Sequence, residues 1–155
     1  LLVVDDVADV EVVQRHLWRI GIDDVEGYLE GGMRAWFESG RPIASREEWS
    51  VHDLERRIRD GRPEAQILDV RSDAEWEAGH VPHARHVYAP YVGEAIDELD
   101  PDRPVVVYCG SGYRSSLAAS VLEANGFESV HSVPGSVTAW KSAGYPLVHG
   151  SGDDR

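Results

Sequence analysis

Residues 105–115, VVVYCGSGYRS, place an apolar run directly before a glycine-rich loop that contains a cysteine. The apolar run has no polar alternation, and this pattern predicts a strand that is buried on both faces. Residues 115–125 then show helical spacing, with Leu117, Val121 and Leu122 predicted to face inward. The loop therefore joins a buried strand to the start of a helix, which is where open α/β sheets bind their ligands.

Strand and helix patterns alternate along the rest of residues 50–148. Ser50 is a predicted N-cap, and Ser72 with Glu75 has the spacing of a capping box that opens a short helix. The predicted elements are helices over 51–60, around Trp76, over 93–99, over 115–125 and around Trp140, and strands over 66–70, 105–108 and 129–133. This alternation predicts an α/β fold in which a mostly parallel sheet carries helices on both faces.

The composition of the 155 residues excludes several classes of protein. A hydrophobic fraction of 42% is too high for a disordered chain. The 28 acidic residues exceed the 15 basic ones and give a net charge of -13, the wrong sign for binding nucleic acid or an anionic membrane surface. Because no apolar stretch approaches the length of a membrane span and no signal-like run opens the chain, a cytoplasmic location is expected.

Cys109 is the only cysteine, which excludes an internal disulfide and a thiolate metal cluster within one chain. Gly110 and Gly112 allow the loop to curl, so that inward-pointing backbone N–H groups form an anion-binding nest at the positive end of the helix dipole. Such a nest lowers the pKa of a thiol and stabilises a persulfide anion. The other interpretation of a lone cysteine is a buried structural thiol.

Arg114 adds a fixed positive charge at the rim of the loop. Two roles are open to it: it binds a substrate anion, or it bridges the loop to a carboxylate such as Asp69 or Glu75. Tyr113 likewise has two interpretations, since it either lines the pocket or shields the loop.

Three motifs resemble the signatures of the rhodanese-like sulfurtransferases. In the loop, Cys109, Gly112 and Arg114 fit the family's Cys-x-x-Gly-x-Arg pattern. Residues 68–82, LDVRSDAEWEAGHVP, resemble the family's first signature, and residues 135–146, GSVTAWKSAGYP, resemble its closing one. Their order and spacing together argue against a chance match.

The resemblance implies a rhodanese-like fold and a sulfurtransferase in which Cys109 carries sulfane sulfur as a persulfide. A small anionic donor such as thiosulfate or a glutathione persulfide supplies the sulfur, and a thiol or cyanide-like acceptor removes it. No metal or organic cofactor is implied, and His80 with His83 supply too few ligands for a metal site. The loop residues implied to bind substrate and persulfide are Gly110, Ser111, Gly112, Tyr113, Arg114 and Ser115, with Asp69, Arg71 and Glu75 in supporting positions.

Two alternative functions stay open. Related phosphatases and arsenate reductases place five residues between the cysteine and the arginine, whereas four intervene between Cys109 and Arg114, which disfavours that alternative. The other alternative is a non-catalytic binding or regulatory module built on the same fold. The chain also departs from the family pattern, because Gly110 stands where many members carry a basic residue, and His83 and Ser136 stand where glycine is usual. The first departure puts thiosulfate in question as the preferred donor.

The chain contains an internal repeat, and its first copy lies before the complete set of motifs. Residues 1–43 resemble residues 105–147 at an offset of 104, and the string GGMRAWFESGRP at 31–42 matches the closing motif. Asp5 stands at the position of Cys109, and a carboxylate cannot carry sulfane sulfur.

The repeat predicts four segments. They are the C-terminal half of a degenerate, catalytically silent rhodanese-like domain at 1–43, a linker at 44–50, a complete rhodanese-like domain at 51–148 and a tail at 149–155. Such pairs occur among double-domain rhodaneses and in fusions that follow a metallo-β-lactamase-fold domain. The apolar faces of the first segment lead us to expect packing against an upstream domain, packing on the complete domain, or pairing in a homodimer.

Overall fold

The computed structural model describes residues 1–61 and 64–150, and the chain divides into two compact units. The first unit is Leu1–Ser45, and the second begins at Arg46. Among the described residues, no helix has the length and apolar character that a membrane crossing needs.

Regular structure in the described residues consists of α-helices, short parallel strands and two turns of 3-10 helix. The helices are α1 (Ala8–Arg19), α2 (Gly32–Glu38), α3 (Val51–Arg59), α4 (Asp73–Glu77), α5 (Tyr113–Ala124) and α6 (Ser136–Ser142). The strands are β1 (Gln66–Asp69), β2 (Ala84–His86), β3 (Val105–Tyr108) and β4 (Val130–Ser132). The 3-10 turns are Ala89–Tyr91 and Ile96–Glu98.

The four strands of the second unit form one sheet in the order β2-β1-β3-β4. Every pairing in it is parallel. A parallel bridge between Glu48 and Ser132 lies beside β4, and the Trp49 amide donates to the Ser132 carbonyl oxygen at 3.0 Å. The predicted α/β fold with a parallel sheet is confirmed.

Strand side chains alternate between two buried clusters, one on each face of the sheet. On one face Leu68, Val70, Val105 and Val107 pack with Ala118, Ala119 and Leu122 of α5. On the other face Ile67, Val106 and Tyr108 pack with Leu54 of α3 and with Val137 and Trp140 of α6. Helices therefore cover both faces, and β3 is buried along its whole length, as its unbroken apolar run predicts.

Both predicted capping serines are confirmed. At α3 the Ser50 hydroxyl accepts the Asp53 amide hydrogen at 3.1 Å, and the Asp53 carboxylate accepts the Ser50 amide hydrogen at 3.2 Å. At α4 the Glu75 carboxylate accepts the Ser72 amide hydrogen at 3.1 Å and the Ser72 hydroxyl hydrogen at 2.8 Å. The α4 cap therefore fixes where the Glu75 carboxylate lies.

The α-helix predicted over 93–99 is wrong, because this stretch contains only the 3-10 turn Ile96–Glu98. Gly93 lies inside the stretch and Pro101 follows it closely. A helix nucleus is costly to form, and so few residues between helix breakers cannot extend one. Strand β2 has no sequence signal, since three residues are too few for a recognisable alternation.

Leu117 does not face inward as predicted, because its side chain is 60% exposed. Helix α5 begins at Tyr113, two residues before the predicted start. The buried residues of α5 form a stripe that begins at Ser115, beneath the cysteine loop, and continues at spacings of three and four residues. They are Ser115, Ala118, Ala119 and Leu122. Leu117 falls outside that stripe.

The carboxyl ends of β1 and β3 are joined by a buried polar network. Asp69, at the end of β1, accepts hydrogen bonds from the Arg71 guanidinium and, at 2.6 Å, from the Tyr108 hydroxyl. Arg71 also donates to the Gly79 carbonyl oxygen at 2.9 Å, and the Tyr108 hydroxyl accepts the Val81 amide hydrogen at 3.1 Å. The Asp69 and Arg71 side chains are 0% and 3% exposed, so removing one partner leaves the other as a buried unpaired charge.

We expect Arg71→Ala to lower the free energy of unfolding by about 3 kcal/mol, because the Asp69 carboxylate then lacks its counterion. Tyr108→Phe removes two hydrogen bonds, the one to Asp69 and the one from the Val81 amide, but leaves the ion pair intact, so it should cost about 2 kcal/mol. Urea unfolding of both variants beside the wild-type chain measures the two losses. Equal losses of unfolding free energy in the two variants would show that leaving the Asp69 charge unpaired has no cost of its own.

The first unit contains α1 and α2, with Leu2 and Tyr28 joined by a parallel bridge. No residue of α1 is buried within it, and Gly32 is the buried residue of α2. Large apolar side chains are exposed on this unit, among them Leu1, Val3, Val7, Trp18, Ile20 and Phe37.

Candidate active site

The cysteine loop spans the gap between the end of β3 at Tyr108 and the start of α5 at Tyr113. Gly112 is the N-cap of α5 and has a φ of +127°, a backbone conformation that side chains disfavour. The short connection places Cys109 at the carboxyl end of the central strand and at the amino end of a helix, as the sequence predicts.

Helix α6 binds the carbonyl groups at the beginning of the loop. The Val137 amide donates to the Cys109 carbonyl oxygen at 3.1 Å, and the Thr138 amide and hydroxyl donate to the Gly110 carbonyl oxygen at 3.2 and 2.8 Å. In a trans peptide the N–H points opposite to the C=O. The amides of Gly110 and Ser111 therefore point away from α6.

The Cys109 sulfur lies among hydrogen-bond donors supplied by this loop. The Gly112 amide donates to Sγ at 3.2 Å, and the Ser115 hydroxyl oxygen lies 3.7 Å from Sγ. Burial opposes ionisation of the thiol, but hydrogen bonds from Ser115, Gly112 and Ser111 outweigh it and lower the pKa of Cys109 to about 7. The loop therefore stabilises a thiolate near neutral pH.

Arg114 is paired with Glu75, one of the two carboxylates named for the bracing role. Its two terminal nitrogens donate to the two carboxylate oxygens of Glu75 at 2.7 and 2.8 Å. This bidentate pair, helped by the hydrogen bonds from Ser72, lowers the pKa of Glu75 to about 2. Arg114 thus bridges the loop to the start of α4, and its pKa is raised by Glu75 and, less strongly, by the nearby Cys109.

The remaining predicted residues separate into two groups. Asp69 and Arg71 belong to the buried network under the strand ends, and their polar atoms are engaged there. Ser111 and Tyr113 lie on the outside of the loop, and the Tyr113 side chain is 83% exposed. Tyr113 therefore does not line an enclosed pocket.

Sequence reasoning missed the contribution of α6 to the site. The hydroxyl of Ser136 accepts the Cys109 amide hydrogen at 3.1 Å, and Thr138 holds the Gly110 carbonyl group. The available signal was the unusual serine in the closing motif. That serine indicated the start of a helix, but nothing in the sequence linked it to Cys109, which lies 27 residues earlier in the chain.

Cys109 itself is buried, with 1% of its surface exposed. Within residues 1–61 and 64–150, no group of three or more histidine, cysteine and acidic side chains is arranged to hold a metal ion. His80 is buried against Trp76, with ring centroids 3.3 Å apart, whereas His83 is exposed.

Comparisons with known proteins agree with this geometry. A family model of the rhodanese-like domain matches residues 50–143. The thiosulfate sulfurtransferase GlpE of Pseudomonas putida is 36% identical over 100 residues, which cover 64% of this chain and 87% of that protein. A crystal structure of the Alr3790 protein from Anabaena sp. has a TM-score of 0.61 and 31% identity, covering 65% of this chain and 81% of that one.

A further solved structure is similar over a larger share of this chain. It is a protein of unknown function from Rhodopseudomonas palustris, described as a possible tyrosine phosphatase, with a TM-score of 0.62 and 25% identity. The similarity covers 80% of this chain and 96% of that one.

The parallel sheet and the cysteine loop define an α/β protein with a cysteine thiol of lowered pKa at the end of a central strand. This chain belongs to the rhodanese-like domain family.

We expect the rate of Cys109 alkylation by iodoacetamide to rise with pH around a midpoint near 7, because the thiolate is the reacting form. Glutathione alkylated in parallel gives the ordinary thiol profile, and Cys109→Ser gives the background. A midpoint at the ordinary thiol value would show that the loop amides do not stabilise the anion.

We expect Glu75→Gln to lower the free energy of unfolding by about 1 kcal/mol at pH 7, a modest figure because the pair is partly exposed to solvent. The pKa of Glu75 is lowered on folding, so its contribution is complete above the unfolded value and is lost as pH falls towards 2. Urea unfolding at pH 7 and in acid measures the difference. Glu77→Gln, an exposed acid on the same helix, is the control and should change little at either pH.

Proposed function

We propose that this protein is a sulfurtransferase that moves sulfane sulfur through a persulfide on Cys109. The observation that carries the proposal is the position of Sγ, 3.2 Å from the Gly112 amide, in a loop that lowers the thiol pKa to about 7. A nucleophilic thiol surrounded by N–H donors suits an anion that forms and discharges on sulfur.

The reaction has two displacement steps. The Cys109 thiolate attacks the outer sulfur of thiosulfate, the S–S bond of the donor breaks, and its electron pair leaves with sulfite. An acceptor such as cyanide or a thiolate then attacks the terminal sulfur of the persulfide, and the electron pair of that S–S bond returns to Cys109. No oxidant or reductant is consumed, so no cofactor is needed.

The proposal includes two candidate donors, thiosulfate and a glutathione persulfide. The relatives named thiosulfate sulfurtransferase support the first. The pairing of Arg114 with Glu75 supports the second, because that guanidinium is already neutralised and Gly110 brings no charge. The backbone N–H groups of the loop then provide the main attraction for the donor.

Incubation with thiosulfate or glutathione persulfide should raise the mass of the intact protein by one sulfur atom. Dithiothreitol should reverse the gain, and Cys109→Ser should abolish it. Parallel turnover measurements with the two donors, using cyanide as acceptor, rank them. Absence of the mass gain with both donors would refute the proposal, and Cys109-dependent hydrolysis of an aryl phosphate would favour the phosphatase alternative instead.

A second candidate is a non-catalytic binding module, and the burial of Cys109 is the observation that favours it. A surface cavity of about 430 Å³, lined by residues that include Arg85, His86, Tyr88 and Tyr91, offers a binding surface away from the thiol. A thiol that resists alkylation in the folded protein at every pH, together with no sulfur uptake, would favour this function.

We also propose that residues 1–43 are a silent copy of the second half of the catalytic domain. In support, Gly31 caps α2 with a φ of +73° and Gly135 caps α6 with a φ of +68°. The Trp36 ring nitrogen donates to the Pro42 carbonyl oxygen at 3.0 Å, as Trp140 does to residue 146 at 2.9 Å.

The exposed apolar side chains of this unit support packing against another surface, either a further domain or a second copy of the chain. Sedimentation together with limited proteolysis tests this, and a monomer that is readily cleaved within residues 1–43 would contradict it.

A further inference from the structure

The first turn of α6 places a buried hydroxyl group beside the Cys109 sulfur. Ser136 is 1% exposed, and its Oγ accepts the Cys109 amide hydrogen at 3.1 Å. The same oxygen lies 2.9 Å from the Val133 carbonyl oxygen and 3.9 Å from Cys109 Sγ. Ser136 therefore contacts both the backbone and the reactive atom of the nucleophile.

The backbone of Ser136 is in a conformation that favours glycine. Its φ is +48°, and in the described residues His83 is the other non-glycine residue with a positive φ. Gly32 stands at the matching position of the first unit, with a φ of +60°. A Cβ added to Gly32 would lie 2.7 Å from the Val4 carbonyl oxygen. A serine at position 136 thus has a conformational cost that glycine avoids, and the group that it adds is the hydroxyl.

The hydroxyl has one hydrogen to donate and two acceptors within reach. While the Cys109 thiol is neutral, the nearer Val133 carbonyl oxygen is the better acceptor. Once Cys109 is a thiolate, the charged sulfur becomes the stronger acceptor, because hydrogen bonds to ions exceed those to neutral groups. Rotation about the Cβ–Oγ bond turns the hydrogen from one acceptor to the other. The oxygen lone pair still accepts the Cys109 amide hydrogen.

We propose that Ser136 is a positioning residue that holds the Cys109 backbone and donates a hydrogen bond to the charged sulfur. The role in sulfur transfer rests on the proposed function, but the effect on the thiolate does not. Ser136 acts with the loop amides and lies on a different element, so α6 participates directly in setting the reactivity of the thiol.

The test is the pH profile of Cys109 alkylation in the full chain carrying Ser136→Gly. Glycine adopts the left-handed backbone without strain, so the variant is expected to fold. We expect the midpoint of the profile to move upward and the rate at pH 7 to fall about threefold, because the anion has lost one donor. Sulfur uptake from the donor should slow by a similar factor. Ser136→Ala, which keeps the Cβ and lacks the hydroxyl, should reproduce the shift.

Ser142→Ala is the matched control, since this hydroxyl lies on the same helix and donates to the Thr138 carbonyl oxygen at 2.9 Å. Its profile should equal that of the wild type. A variant that only loosened the fold would expose the buried thiol and speed alkylation, which is the opposite change. An unchanged midpoint in Ser136→Gly and Ser136→Ala would overturn the inference. Failure of the wild type to take up sulfur would refute the proposed function and leave the alkylation result decisive for Ser136.

Discussion

The hydrogen bonds from α6 to the carbonyl groups of Cys109 and Gly110 are the constraint on which the site depends. They fix the direction of two peptide planes, and the N–H groups of those planes then point away from α6. Without these bonds the two peptide planes would be free to turn their carbonyl groups towards the thiol. The negative ends of those dipoles would then destabilise the anion. The helix that closes the domain thereby determines the chemistry of a loop that precedes it in the chain.

Charged side chains near the loop serve mainly to hold it in place. Asp69 and Arg71 neutralise one another under the strand ends, and Arg114 is neutralised by Glu75 at the rim. The Gly112 backbone N–H donates to the Cys109 sulfur without adding a charged side chain, in a protein whose net charge is -13. Backbone dipoles fixed by the fold act at short range, so they act on the anionic sulfur that enters the loop and not on charges elsewhere on a donor.

The sequence predicted the elements whose signals are local. The unbroken apolar run of β3 and the Ser50 and Ser72 caps were all predictable from patterns a few residues long. The contacts that join distant segments were not, because nothing in a single sequence pairs Ser136 with Cys109. The sequence offered Asp69 and Glu75 as carboxylate partners for Arg114. In the structure the partner is Glu75, because the α4 cap fixes its carboxylate within reach of the guanidinium. Strand β2 and the 3-10 turns escaped prediction because they are too short to show a period.

The burial of Cys109 has a consequence for the direction of attack on a persulfide. Such a group has two sulfur atoms, and attack on the inner one would yield a mixed disulfide and release hydrosulfide. The inner atom is Sγ, which is covered by the loop and leaves the residue 1% exposed, while the added sulfur extends one bond further. Shielding of this kind makes the outer sulfur the accessible electrophile. In the proposed reaction, the shielding of Cys109 Sγ directs the acceptor to the outer sulfur. Each turnover then transfers that sulfur and leaves no mixed disulfide between Cys109 and the acceptor.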